Sequence, residues 1–155
     1  MGHYDPNKET IVSADSSSFG LGAVLKQKMS NGKWIPITYA SRSLLPTEGR
    51  YAQIEKESLA STWACERFSD YLIGKTFHIE TDHKPLVSLL GNKNLEELTP
   101  RLQRFRMRLM RFRYTISHVP GKDLIIADAL SRAPSRNIEK SESDFENDIQ
   151  LLLQT

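Results

Sequence analysis

Ile11, Val12 and Ala14 form a short apolar, β-branched run that Asp15 ends, which predicts a strand over residues 10 to 15. "GLGAVLKQK" (20–28) and "KWIPITYASRSL" (33–44) read as two more strands. "SNGK" (30–33) between them carries an Asn-Gly pair, the strongest short hairpin signal. Three strands so closely linked predict an antiparallel meander. After Pro46 the apolar spacing lengthens to that of a helix, which predicts one long helix over residues 47–71. "KTFHIETD" (75–82) reads as a fourth strand and "KPLVSLL" (84–90) as a short helix. "TPRLQRFRMRLMRF" (99–112) predicts a helix with proline in its first turn. "RYTISHVPG" (113–121) returns as a strand, and "DLIIADALSR" (123–132) as a last short helix. The order β-β-β-α-β-α-α-β-α predicts an α/β domain with one mixed sheet, a meander plus parallel strands, flanked by helices. Active sites in such sheets gather at strand ends, where the strand direction switches.

The 155 residues suit one domain with a real core. Hydrophobic content of 39% and charged content of 26% fit a globular protein. No apolar run approaches a membrane span and no N-terminal signal pattern occurs, so no membrane partner is expected. Cys65 is the only cysteine, so an internal disulfide is excluded and a reducing, cytoplasmic setting is expected. Zinc is disfavoured, for want of cysteine partners and His-x₃-His spacing. Five acids against two bases put residues 134–155 at −3, which leaves residues 1–133 at +5 of the total +2. The expected organisation is a leader (1–7), a basic domain (8–133) and an acidic, serine-rich linker or tail (134–155). A basic body is compatible with a nucleic-acid partner.

The acids carry the candidate chemistry. Asp15 and Asp82 each end a predicted strand. If the two strands are parallel neighbours, their carboxylates sit side by side and repel unless a cation such as Mg²⁺ takes them as ligands. On a helical wheel, Glu57 falls on the side of Ile54, Ala60, Ala64 and Phe68, and Glu55 on the far side with Glu66. A glutamate on the buried side needs a partner or a metal, whereas Glu55 reads as a solvated charge. Asp128 follows Ile125, Ile126 and Ala127, which would anchor it against the sheet. Taken singly, Asp15 is equally a turn residue and Asp128 a capping or surface acid.

"SADSSSFGLGAVLKQ", "EKESLAS", "IETDHKPL" and "HVPGKDLIIADALSR", in this order, closely resemble the ribonuclease H domain of Ty3/Gypsy-type retrotransposon polyproteins, over roughly residues 8 to 133. The resemblance implies an RNase H-like fold with a five-stranded mixed sheet. It implies a catalytic and metal-ligating quartet of Asp15, Glu57, Asp82 and Asp128, and the RNA strand of an RNA–DNA hybrid as substrate. It implies two Mg²⁺ ions, with Mn²⁺ as a substitute: one shared by Asp15 and Asp128, the other held by Asp15, Glu57 and Asp82. Glu57 is further expected at a ribose 2′-OH. His118 stands where related enzymes carry a mobile histidine for proton shuttling or product release; an exposed strand histidine beside the site is the alternative. His83 reads as structural or as support for Asp82. The pattern departs from the family in having Ala14 before and Ser16 after the first aspartate, and Leu124 in place of a common asparagine. No Tyr-x-Asp-Asp motif occurs, so the chain reads as a piece of a polyprotein. Its expected partner is the polymerase region, inside a cytoplasmic retroelement particle.

Between Thr99 and Arg113 lie six arginines and no acid. Arg104, Arg108 and Arg111 cluster opposite Leu102, Phe105 and Leu109 on the wheel, an arrangement suited to phosphate contact as well as to a solvated face. Arg106 falls on the apolar side, as an ion-pair partner. Ser16, Ser17 and Ser18 either donate to phosphate or 2′-OH groups or simply build a turn. Two alternatives to a metal-dependent endoribonuclease remain: a silent RNase H-like module that binds nucleic acid or packs a polyprotein, and an integrase-type strand transferase, for which the acid spacing gives no support.

Overall fold

In the computed structural model, which describes residues 2–121 and Arg132, three strands form the expected meander. They are Thr10–Ser16 (β1), Gly20–Lys28 (β2) and Trp34–Ser43 (β3). Gly32 closes the β2–β3 turn at φ 84°, a left-handed conformation that glycine adopts without a Cβ penalty. β3 is an edge strand, and a bulge interrupts its pairing where Leu25 faces Thr38 but Lys26 faces Pro36. Proline has no N–H to offer a ladder, so a bulge on an edge is where a sheet accommodates it.

Thr76–Thr81 (β4) joins β1 in parallel and Arg113–His118 (β5) joins β4 in parallel, giving the order β3-β2-β1-β4-β5. β1 therefore has an antiparallel neighbour on one side and a parallel one on the other. This is the switch point, and the ends of β1 and β4 open there side by side.

The helices are Gln53–Arg67 (α1), Ser69–Leu72 (α2), Pro85–Leu90 (α3) and Pro100–Arg108 (α4). Val12 and Ala14 of β1, Leu21, Ala23 and Leu25 of β2, and Phe77 and Ile79 of β4 share a core with Leu59, Ala60 and Ala64 of α1. Strand alternation puts one set of side chains on this core and sends the intervening ones, including Ser13, Asp15 and Glu80, to the other face.

The single helix expected over 47–71 is three pieces. Glu48–Arg50 is a 3₁₀ turn, and Tyr51 and Ala52 are extended before α1 begins. The Glu48 carboxylate takes both Arg42 guanidinium nitrogens (2.8 and 2.9 Å) and the Leu45 amide (2.8 Å), which pins this corner to β3. Glu55, expected in water, accepts from the Ala52 amide at 3.1 Å and pairs with Arg101 at 3.2 Å, capping α1. Phe68, at φ −100°, separates α1 from α2. α4 ends at Arg108, short of residue 112, and the Leu109 amide there is shared by the Phe105 and Arg106 carbonyls, as is common in a last turn.

Residues 2–7, expected as a leader, are tied to α2 and β2. The Tyr4 hydroxyl donates to the Tyr71 carbonyl at 2.6 Å, and Gln27, fully buried, bonds both the amide and the carbonyl of Asp5. Residues 123–131 of the helix expected over 123–132, and the tail from 134, lie outside the described residues. No described helix is long and apolar enough to cross a membrane.

Candidate metal centre

β1 delivers Asp15 to the switch point as a buried residue. Its partner across the antiparallel ladder is Gly22, which offers no side chain to crowd the carboxylate. β4 ends one residue before Asp82, and two bonds fix the turn that carries it. The Val119 amide donates to the Thr81 carbonyl at 2.8 Å, and the His83 amide to the Thr81 hydroxyl at 3.1 Å. Gly121 lies so close to Asp82 that an added Cβ would stand 3.2 Å from its Oδ2. The third acid comes from α1, whose inner face presents Glu57 at 3% exposure. One carboxylate oxygen from each of Asp15, Glu57 and Asp82 lies within 4.8 Å of the others.

The electrostatics centre on Glu57. Its Oε1 accepts from the Ser16 hydroxyl at 2.6 Å and from the Gln53 amide at 2.8 Å. Its Oε2 is buried and has no hydrogen-bond partner. Burial pushes the Glu57 pKa up to about 7, the Asp82 charge pushes the same way, and the bonds from Ser16 and Gln53 pull against them. A buried polar atom without a partner is costly, and so is a cluster of three carboxylates. A divalent cation removes both costs. The donors are all hard oxygens, which suits Mg²⁺, Mn²⁺ or Ca²⁺ rather than a thiophilic metal. The residues present thus fit the group that the sequence resemblance implies.

The other expected site residues fall in different places. Asp128, the expected fourth acid, lies outside the described residues. His118 ends β5, is exposed, and pairs in register with Thr81, one residue from Asp82. Ser16 points inward at Glu57, whereas Ser17 accepts from the Phe19 and Gly20 amides and so builds the β1–β2 turn. Gln53, one helical turn before Glu57, and Gly121 were not singled out from the sequence. The i, i+4 spacing of Gln53 and Glu57 was the available signal for the first.

One of the three ridge arginines has an acidic partner. Arg108 bonds both oxygens of Glu66, so it does not stand free. Arg106 makes no ion pair among the described residues; it donates instead to the carbonyls of Leu89 (3.1 Å) and Lys93 (2.6 Å), closing the loop after α3. Arg101 lies over the Tyr51 ring at 4.0 Å while pairing with Glu55. Arg104 and Arg111 remain exposed, the latter against the Phe112 ring. Because α4 pairs with α1 at Glu55 and again at Glu66, the two helices run side by side in the same direction. Arg101 then sits at the site end and Arg108 about 13 Å along the helix from Glu57, at 1.5 Å per residue.

Comparison with known proteins agrees with this architecture. Residues 5–112 match the family described as the RNase H-like domain found in reverse transcriptase. The chain is 41% identical over 139 residues to the retrovirus-related Pol polyprotein from transposon 297 of Drosophila melanogaster, covering 90% of this chain and 12% of that one. It is 34% identical over 132 residues to the transposon Tf2-3 polyprotein of Schizosaccharomyces pombe, covering 84% and 10%. It thus spans about a tenth of the length of these relatives. Among solved structures, RNase H1 from Halobacterium salinarum NRC-1 superposes with a TM-score of 0.56 at 19% identity, over 83% of this chain and 96% of that one. A foamy viral protease-reverse transcriptase in complex with an RNA/DNA hybrid gives 0.55 at 20% identity, over 74% and 16%. The chain belongs to the RNase H-like domain family of reverse transcriptases, of the Ty3/Gypsy retrotransposon type.

Proposed function

We propose that this domain hydrolyses the RNA strand of RNA–DNA hybrids during retroelement reverse transcription, as a metal-dependent endonuclease. The observation that carries the reading is the buried Glu57 carboxylate, with its Oε2 partnerless, clustered with two aspartates at a sheet switch point. Asp15, Glu57 and Asp82 would hold the metal, with Asp128 as the expected fourth ligand. Bound divalent ions supply a water of lowered pKa and stabilise the leaving 3′-oxygen.

The chain's own residues do the rest. Asp15 and Glu57, both buried, hold their oxygens in a fixed place, so the site does not have to reorganise when substrate arrives. Asp82 and His118 stand at the open rim, where a scissile phosphate enters. Arg104 and Arg111 extend from the basic helix region and its following turn toward the phosphate backbone; Arg108, neutralised by Glu66, contributes less. The homologous polyproteins support the polymerase region of the same polyprotein as the partner, and the hybrid-bound foamy viral enzyme supports the substrate class.

The test is a labelled RNA–DNA hybrid incubated with the chain, with and without Mg²⁺. RNA cleavage should require the ion and disappear in Asp15→Asn. An Asp15→Asn protein that cuts at the parental rate overturns the reading.

A further inference from the structure

The two oxygens of the Glu57 carboxylate are treated unequally. Oε1 takes the Ser16 hydroxyl and the Gln53 amide, while Oε2, equally buried, takes nothing. A network that served folding alone would divide its donors between two buried acceptors, since leaving one empty costs more than a shared bond gains. We propose that Ser16 and Gln53 are positioning residues for Glu57: they occupy Oε1, lock the carboxylate plane, and keep Oε2 turned toward Asp15 and Asp82 as the metal-facing oxygen. This rests on the reading of the acid cluster as a metal centre.

The geometry of the three side chains supports the assignment. Ser16 follows Asp15 directly, and strand alternation sends their side chains to opposite faces. One strand end therefore delivers a candidate ligand on one side and a locking hydroxyl, aimed at α1, on the other. Gln53 sits four residues before Glu57, on the same helix face. Its amide carries two protons: one goes to Glu57 Oε1 at 2.8 Å, and the Ser16 oxygen lies 3.4 Å away for the other. The serine's single proton goes to Glu57. Donors and acceptors close into a triangle with Oε1 saturated. The last torsion of a glutamate is broad and nearly two-fold, so without the triangle either oxygen could face the cluster and the carboxylate would be free to swing.

The experiment uses the full 155-residue chain, stripped with chelator and then titrated with MgCl₂ or MnCl₂ while the thermal midpoint is followed. Binding to the folded state raises the midpoint. Each variant is read against its own metal-free midpoint, so a change in basal stability does not obscure the result. Ser16→Ala and Gln53→Met should need about 10-fold more metal, or higher, for the half-maximal shift, the usual cost of losing a residue that orients a ligand. Ser16→Thr, which keeps the hydroxyl, should restore the parental value, and Glu57→Gln should lose most of the shift. If Ser16→Ala does not fold, Gln53→Met carries the test. Parental half-shift concentrations in both Ser16→Ala and Gln53→Met overturn the positioning role and leave the metal centre standing. A parent protein whose midpoint ignores both ions overturns the metal reading, and this proposal with it.

Discussion

Glu48 and Glu57 are both nearly buried, at 7% and 3% exposure, and they are opposites. Glu48 sits at the corner after β3 with every demand met: two bonds from Arg42 and one from the Leu45 amide. The Arg42 hydrogen bonds hold its carboxyl below the usual range, against the opposing effect of burial. Glu57 sits at the switch point with no cation beside it among the described residues, and burial drives its pKa up to about 7. One acid is satisfied and fastens a corner. The other is left incomplete, and the fold bears that cost where two aspartates converge. Burial of a carboxylate therefore says little by itself; what its oxygens meet separates a structural acid from one poised for a ligand.

The largest separation is expected in activity. Glu57→Gln should reduce Mg²⁺-dependent hybrid cleavage by orders of magnitude, while Glu48→Gln, far from the acid cluster in its bonding, should leave the rate per folded molecule near parental. Equal losses in a gel-based cleavage assay would erase the distinction.

Stability should separate the two acids in the other direction. Glu48→Ala removes a charge-assisted pair and leaves the Leu45 amide without its acceptor, at a cost of about 2 kcal/mol. Glu57→Gln in chelator at pH 8 should be neutral or stabilising, because it removes a buried charge. Urea titrations of both variants measure this, and a destabilised Glu57→Gln protein would count against the strained-acid account.

The pH profile of the metal-free protein sharpens the contrast further. The raised Glu57 pKa adds stability that is fully present below its ordinary 4.5 and lost as pH rises through about 7. The span corresponds to roughly 3 kcal/mol at most, at 1.36 kcal/mol per pH unit. Glu48 has the opposite sign: its contribution is present above the ordinary value and lost as pH falls through its lowered folded one. Glu57→Gln should flatten the slope between pH 4.5 and 7, as should saturating Mg²⁺ at its upper end. Glu48→Gln should leave that segment unchanged.

The smallest effect concerns the neighbouring loop. Gly121→Ala places a methyl 3.2 Å from Asp82 Oδ2, so the carboxylate must give by a few tenths of an ångström. Metal affinity should fall a few-fold with stability nearly unchanged, read as a shifted Mg²⁺ dependence of the thermal midpoint. An unaltered dependence would mean that the loop yields instead of Asp82.

The strands were legible because their evidence is local. Alternation, the Asn31-Gly32 turn and the boundary aspartates lie within a few residues of each other, and β1, β2 and β4 run where those signals put them. Glu57 was legible as an inward-facing acid because helical periodicity fixes the face of a side chain without reference to its surroundings. Helix interruptions were not legible. Gly49 is the one local signal against a helix between residues 47 and 52, and it is a weak one; the Arg42–Glu48 pair that holds this corner joins two elements and is not written in either segment alone. The same applies to Arg108: its pairing with Glu66, 42 residues away in sequence, has no local signal.

By itself the sequence determined the order of the five strands, the mixed character of the sheet and the three acids that cluster, Asp15, Glu57 and Asp82, since each is carried by short-range patterning and by motifs read in order. The tertiary structure decided which groups meet. Only parallel pairing of β1 with β4 brings Asp15 beside Asp82, and only the seat of α1 on that sheet carries Glu57 to them while giving its Oε1, but not its Oε2, to Ser16 and Gln53. The reason is physical: a side chain's type and face are properties of its own segment, whereas its charge state and partners are set by groups distant in the chain, and a carboxylate's energy depends on those more than on its neighbours in sequence.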